Sequence, residues 1–176
     1  MDIHLQSFQI AHFPSLMIAM SKPAYLAIVE YSPTKPVVAF VPSRRQCRLT
    51  VDDILTHCTA DDKPDRFLNV EMKDLQLHLD HLSDKALAET LKHGIGYYHE
   101  ALSKQDKRIV HRLFESGAIQ VLVASMVRCI IYFRVTLDVL FMTRTLHGVS
   151  PSHATWSSSW EFSSTKERNI DMSTTL

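Results

Sequence analysis

The chain has 176 residues, 45% apolar and 22% charged, and its 19 Lys and Arg balance 19 Asp and Glu to a formal net charge of zero. That balance excludes the strongly basic signature of an autonomous nucleic-acid binder, and the length predicts one domain with one core. Four glycines serve the whole chain, Gly94, Gly96, Gly117 and Gly148, so neither a G-x-x-x-x-G-K-[ST] phosphate loop nor a G-x-G-x-x-G fingerprint can be written anywhere.

Residues 1–36 carry Pro14, Pro23, Pro33 and Pro36 and read as a lead-in segment, with one short strand near His4 to Ile10. One helix is predicted from Ser21 to Tyr31, with Ser21 as cap and Pro23 in the tolerated first turn. Val37 to Val41 is a continuous apolar run ended by Pro42 and Ser43, the pattern of a strand buried on both faces of a parallel sheet. A crossover helix follows over Arg45 to His57, with Leu49, Ile54 and Leu55 inward and Asp52 and Asp53 toward solvent.

The polar stretch ADDKPDR, residues 60–66, opens a helical insertion in which Leu75, Leu77, Leu79 and Leu82 precede Ser83, an N-cap candidate. Leu87 and Leu91 then lead to a stop at Gly94. Ile95 to Tyr98 is a second strand, Ser103 to Phe114 a helix stopped by Gly117, and Ala118 to Ala124 a third strand. Strands alternating with helices predict βαβ crossovers and a parallel sheet. Met126 to Met142 is apolar but interrupted by Arg128, Arg134 and Asp138, and reads as strand rather than as a membrane span. Residues 149–176 are Ser/Thr-dominated and predicted to be disordered.

Cys47, Cys58 and Cys129 are odd in number and widely spaced, which fits neither a disulfide framework nor a zinc pattern and predicts a reducing compartment. No signal peptide is read at the N-terminus, so no secretion is expected. His57 with Cys58, and His78 with His81, have no second pair to complete a tetrahedron, so no metal site is expected. Trp156 and Trp160 are read as part of the unstructured tail rather than as a stacking platform.

Ligands of parallel α/β sheets bind outside the carboxyl ends of the strands. Those ends present Pro42, Ser43, Arg44 and Arg45, then Tyr98, His99 and Glu100, then Ala124 and Ser125. Ser43 and Arg44 are phosphate candidates, through hydroxyl, guanidinium and a helix N-terminus together; the alternative is that Ser43 merely caps the helix and the arginines are solvated. His99 and Glu100 form a base-and-orienter pair without a nearby nucleophile, or His99 donates to a backbone carbonyl.

The stretches SKPAYLAIVEYSPTKPVVAFVPSRRQCRLTVDDILTHC, residues 21–58, and GIGYYHEALSKQDKRIVHRLFESGAIQVLVAS, residues 94–125, resemble the second RecA-like domain of superfamily-two DExH RNA helicases. The similarity is greatest to spliceosomal helicases with two tandem cassettes, and SKPAY and FVPSRR look most like the C-terminal cassette. FVPSRR, residues 40–45, is similar to helicase motif IV, GIGYYHEAL, residues 94–102, to motif IVa, and VLVAS, residues 121–125, to the opening of motif V. The resemblance runs from about residue 3 to Ser125. It implies an α/β fold: a partial RecA-like parallel sheet with flanking helices over residues 37–125, containing the helical insertion. It also implies that Ser43, Arg44, His99 and Ser125 contact a nucleic-acid backbone, with Arg45 and Arg48 as basic support.

After Ser125 the resemblance stops, so residues 126–148 form an unfamiliar apolar segment ahead of the tail, as in a truncated product. Ser125 stands where many helicases have threonine, a change similar to the C-terminal cassette. The resembled family uses ATP and magnesium, bound by a phosphate loop and a DExH carboxylate on the first RecA-like domain and sensed by motif VI arginines. None of these motifs is written in the 176 residues. The implied function is that of a splicing RNA helicase fragment in the nucleus, binding RNA weakly and meeting spliceosomal proteins, with no membrane role, no cofactor of its own and no catalytic residues. The alternatives are a non-enzymatic protein-interaction module or a non-functional product with an unpaired sheet edge.

Overall fold

The computed structural model describes residues 2–125, 138–146 and 156–164. Strand β1 (Asp2–Phe8) is followed by helix α1 (Phe13–Tyr31), strand β2 (Val37–Phe40), helix α2 (Arg44–Ala60), and the insertion helices α3 (Met72–Leu79) and α4 (Lys85–Leu91). Strand β3 (Ile95–Tyr98), helix α5 (Lys104–Glu115) and strands β4 (Val121–Ala124), β5 (Asp138–Leu146) and β6 (Trp156–Ser164) complete the described chain. The strands form one sheet in the order β1-β6-β5-β2-β4-β3.

The parallel part is the predicted α/β core. Every residue of β2 and β4 is buried, as continuous Val/Ala/Leu/Phe runs require when helices cover both faces. The ladder sets Val37, Val121 and Ile95 side by side at one end and Phe40, Ala124 and Tyr98 at the other. The third strand is shorter than its apolar run: Ile119 makes only an isolated bridge to Leu68, and pairing with β2 and β3 begins at Val121. Gln120, buried at this boundary, donates its backbone N–H to Phe67 and Gly94 carbonyls and its side-chain amide to the Ser32 carbonyl, tying the end of α1 to the sheet.

The helix expected from Ser21 begins instead at Phe13. Pro14 occupies the first turn, where no backbone donor is needed, and α1 then continues through Pro23. An interior proline costs about 3 kcal/mol. Leu16, Met17, Met20, Ala24, Tyr25, Ala27 and Ile28 are buried along the same helix, and each large apolar side chain removed from water contributes roughly 1.5–3 kcal/mol, so packing prevails. Ser21 is thus not a cap: its hydroxyl donates to the Ile18 carbonyl at 2.8 Å.

Asp84, not Ser83, caps α4, its carboxylate accepting from Ala86 N at 3.0 Å and Leu87 N at 3.4 Å. The Ser83 N–H is directed to buried Asp106 at 2.9 Å. Of the insertion leucines, Leu75 and Leu79, four apart, are buried, while Leu77 between them is 70% exposed, as a helical rather than an alternating period demands. On α2 the inward face is Cys47, Val51, Ile54 and Cys58, and Leu49 turns outward.

Two further strands lie toward the end of the chain, the first as the strand reading of the apolar segment expects. Asp138–Leu146 lies parallel to β2, opposite Val37 to Phe40, so part of the unfamiliar apolar segment does extend the sheet. Within the stretch expected to be disordered, Trp156–Ser164 pairs antiparallel with both β5 and β1, and Trp156 and Trp160 are strand residues. A ladder uses backbone groups, which serine supplies as well as valine does, so a low aliphatic content does not forbid a strand inserted between two others. Residues 126–137, 147–155 and 165–176, with Cys129 and Gly148, lie outside the described residues.

Gly94 and Gly117 both have positive φ, at 77° and 74°. A Cβ on Gly94 would overlap the Phe67 carbonyl and Leu68 N, whereas one on Gly117 meets open space. Gly117→Ala is expected to cost about 1–2 kcal/mol of backbone strain and Gly94→Ala clearly more, because the Phe67 backbone must also move. Urea midpoints of the two variants check the ranking, and equal midpoints contradict it.

Candidate nucleic-acid interface

Flush strand ends bring three separate turns to one edge. Val41 N donates to Ala124 O at 2.9 Å and Ser125 N to Tyr98 O at 3.1 Å, continuing the ladder one step past its formal end. Residues 41–45, 98–100 and 124–125 therefore emerge side by side, although they are far apart in sequence.

At the first turn, Ser43 has extended backbone and its hydroxyl accepts from Gln46 N at 3.2 Å, so it caps α2. The first turn of α2 contains no acidic residue, and Arg44 and Arg45 are exposed there. The helix dipole and both guanidiniums thus favour an anion at the same place. Arg44, Arg45, Arg48, Asp84, His99 and Ala101 line one cleft of about 380 Å³. Ser43 faces a neighbouring groove of about 300 Å³ between α1 and α2, shared with Phe13, Met17, Ile18 and Leu49. The structure therefore gathers Arg44, Arg45, Arg48 and His99, while Ser43 and Ser125 border the strand ends without lining that cleft.

His99 is 9% exposed and its ring stacks on Tyr97 at 5.6 Å with an interplanar angle of 12°. Burial pushes its pKa down; Glu100 opposes the shift, and Arg48 and Arg44 reinforce it. His99 is held neutral near pH 7, a polar but uncharged wall for the cleft. Its buried Nδ1 has no hydrogen-bond partner, so it does not donate to a backbone carbonyl there. The exposed Glu100 carboxyl lies below the usual carboxylate range, first through its own backbone N–H and then through Ser125, His99 and Arg44. Ser125 Oγ donates to Glu100 Oε2 at 3.2 Å. Glu100 is thus held by the third strand end and is not aligned as an orienter for His99.

Arg48 reaches the cleft already paired. Its Nη2 donates to both Asp84 oxygens at 3.1 and 3.2 Å, Nε and Nη2 both lie 3.3 Å from the Tyr97 oxygen, and the guanidinium carbon sits 5.6 Å above the Tyr97 ring centre. Tyr97 O–H donates to Asp84 at 2.8 Å. Burial, with the Asp84 hydrogen bond second, pushes the Tyr97 hydroxyl up to about 12. Burial also opposes ionisation of Asp84, yet the bonds from Tyr97 and Leu87 N and the charge of Arg48 outweigh it, and the carboxyl falls below its ordinary value. One carboxylate therefore caps α4, pairs with α2 and holds β3.

The bonds of Asp84 to Arg48 and Tyr97 carry no signal in a linear reading, since the partners are 36 and 13 residues away. The acidic residue after Ser83 was the available hint of the cap. His57 belongs to a separate cluster: it stacks on Tyr25 at 5.5 Å and lies 3.3 Å from Ser21 Oγ, while Tyr25 O–H donates to Asp61 at 2.5 Å and accepts from Arg66 at 2.9 Å. Burial pushes the adjacent Cys58 thiol up to about 11 and Tyr25 up to about 12. Among the described residues, no three His, Cys, Asp or Glu side chains converge as a metal site, and no helix is long and apolar enough to cross a membrane.

No protein-family model matches the chain. Over 129 residues, 73% of its length, it is 52% identical to the U5 small nuclear ribonucleoprotein 200 kDa helicase of Homo sapiens, and the same share is 45% identical to the Drosophila melanogaster protein of that name. It is 43% identical over 124 residues, 70% of its length, to a DExH-box ATP-dependent RNA helicase of Arabidopsis thaliana. The match to the RQC trigger complex helicase of Saccharomyces cerevisiae is 43% over 114 residues, 64% of the chain. The chain spans about 6% of the length of each of these curated relatives.

Replacing Asp84 by Asn is expected to lower stability by about 1–3 kcal/mol at pH 7, because Asn can still cap α4 but the charged partner of Arg48 and Tyr97 is lost. Asp84 titrates lower folded than unfolded, so its stabilisation is complete above its unfolded pKa of about 3.9 and is lost as pH falls through the folded value. The gap between wild type and Asp84→Asn in urea midpoint therefore narrows below about pH 4. A gap of constant size from pH 7 to pH 3 contradicts this assignment.

Proposed function

The chain is homologous to a segment of the DExH RNA helicases, and from that premise we propose that its α/β unit holds the sugar-phosphate backbone of single-stranded RNA at the strand-end edge, as the second RecA-like domain of such an enzyme. The observation that carries this reading is the cleft at the carboxyl ends of β2 and β3 in which Arg44, Arg45 and His99 meet. Arg44 and Arg45 supply charge, the capped start of α2 supplies unpaired backbone N–H groups, and neutral His99 shapes the wall. Ser43 and Ser125 flank the path. Arg48, neutralised by Asp84, positions the cleft rather than binding phosphate.

Phosphoryl transfer needs groups that cradle the phosphates and neutralise the developing charge. The 176 residues contain no phosphate-loop sequence, so they do not fit ATP by themselves, and the chain alone neither hydrolyses ATP nor unwinds RNA. ATP and magnesium enter only with partner domains of helicase type. A nuclear location and ribonucleoprotein partners follow from the same homology.

Titration of the chain with a labelled single-stranded RNA, followed by fluorescence anisotropy at several salt concentrations, tests the reading. Binding is expected to be weak and salt-dependent, with Arg44→Ala/Arg45→Ala reducing the slope of log affinity against log salt by about 1.4, roughly 0.7 per phosphate contact. No phosphate release above buffer is expected with ATP and magnesium. An unchanged slope in the double variant, or ATP hydrolysis by the purified chain, overturns the proposal.

A further inference from the structure

Outside the strand-end cleft, the outward side of α5 carries a cluster of positive charge among the described residues. Its buried side is Asp106, Val110, Leu113 and Phe114, which leaves Lys104, Lys107, Arg108, His111 and Arg112 on the half-exposed and exposed sides. Tyr98, Lys107, Arg108, His111, Arg112 and Glu115 line an open cleft of about 440 Å³. The one carboxylate in that lining, Glu115, contacts His111 at 3.1 Å, and among the described residues neither Arg108 nor Arg112 is paired with an acid. Asp106 is buried and accepts from Ser83 N, so it does not offset the outer charge.

This basic face adjoins the strand-end edge. Tyr98 closes β3 directly before His99, and Lys107 Nζ donates to the Glu100 carbonyl at 2.7 Å, anchoring the start of α5 to the same turn. Arg108 and Arg112 stand one helical turn apart, about 6 Å along the axis, so their charges step away from that edge in a row. A row of cations continuous with the strand-end edge makes the kind of surface along which single-strand binders track the sugar-phosphate backbone.

We propose that Lys107, Arg108 and Arg112, with Tyr98 at the near end, form a second backbone track that carries a single-stranded RNA onward from the strand-end cleft around β3. The inference rests on the strand-end reading for its direction, but its residues are separate. It predicts a footprint longer than the cleft alone can hold, and a charge contribution from a helix face rather than from strand ends.

The test uses the full 176-residue chain and two labelled single-stranded RNAs, of about 4 and about 12 nucleotides, the range of site sizes known for single-strand grooves. Arg108→Ala/Arg112→Ala keeps good helix formers at exposed positions, and circular dichroism verifies its fold. It is expected to weaken the long RNA selectively and to lower the long RNA's salt slope by about 1.4, so that its affinity falls about sevenfold less between 50 and 200 mM salt. Arg108→Lys/Arg112→Lys should restore that slope. If the alanine variant binds both lengths as wild type does while Arg44→Ala/Arg45→Ala weakens both, the second track is overturned and the strand-end reading stands. If Arg44→Ala/Arg45→Ala changes neither length but Arg108→Ala/Arg112→Ala weakens the long RNA, the strand-end reading fails and the track survives. Binding of poly-glutamate but of neither RNA, abolished by Arg108→Ala/Arg112→Ala, overturns the proposal and makes the face a dock for an acidic protein segment.

Discussion

The structure depends on the register of three short parallel strands. Because Phe40, Ala124 and Tyr98 stand opposite one another, the turns that follow them leave the sheet at one level, and residues from three distant parts of the sequence become neighbours. A slip of one residue would turn each side chain to the other face and separate the turns as well. The buried runs of β2 and β4 oppose such a slip through helix packing on both sides, and Gln120 fixes the opposite end through Phe67, Gly94 and Ser32.

Around that ladder, charge is divided between holding and offering. Asp84 is taken up by Arg48, Tyr97 and the start of α4, and in binding them it locks the insertion to α2 and β3. Arg44 and Arg45, four and three residues earlier on the same helix, have no such acidic partner among the described residues and remain available at the surface. An isolated exposed ion pair contributes little to stability, but a carboxylate that also caps a helix and accepts from a buried tyrosine is a junction whose loss affects three elements together.

Much of this was legible in the sequence, and the exceptions have physical causes. The β2 and β3 cores, the stop at Gly94 and the Ser103 cap of α5 follow from apolar runs, positive φ and N-cap chemistry, all of which are local. The start of α1 was not legible, because Pro23 reads as a beginning when only neighbours are considered and is overruled by burial of the whole helix face. The strand-end residues could be named from the rule that parallel sheets bind ligands at their carboxyl ends, yet the pairing of Arg48 with Asp84 could not, because it is made across 36 residues. The Ser-rich strand β6 was hidden for the opposite reason: composition reports side chains, and its pairing is written in the backbone.

The placement of β1 has a consequence for the order in which the chain can be assembled. Among the described strands its ladder partner is β6, with Asp2 opposite Ser164, so this pairing joins the most widely separated segments of the sheet. The β2-α2 to β4 unit closes over shorter separations and can form first, whereas β1 must wait for the far end of the chain. Docking of β1 is therefore expected to come last among the described strands, which leaves it open to chaperones, or to a competing strand, for longest.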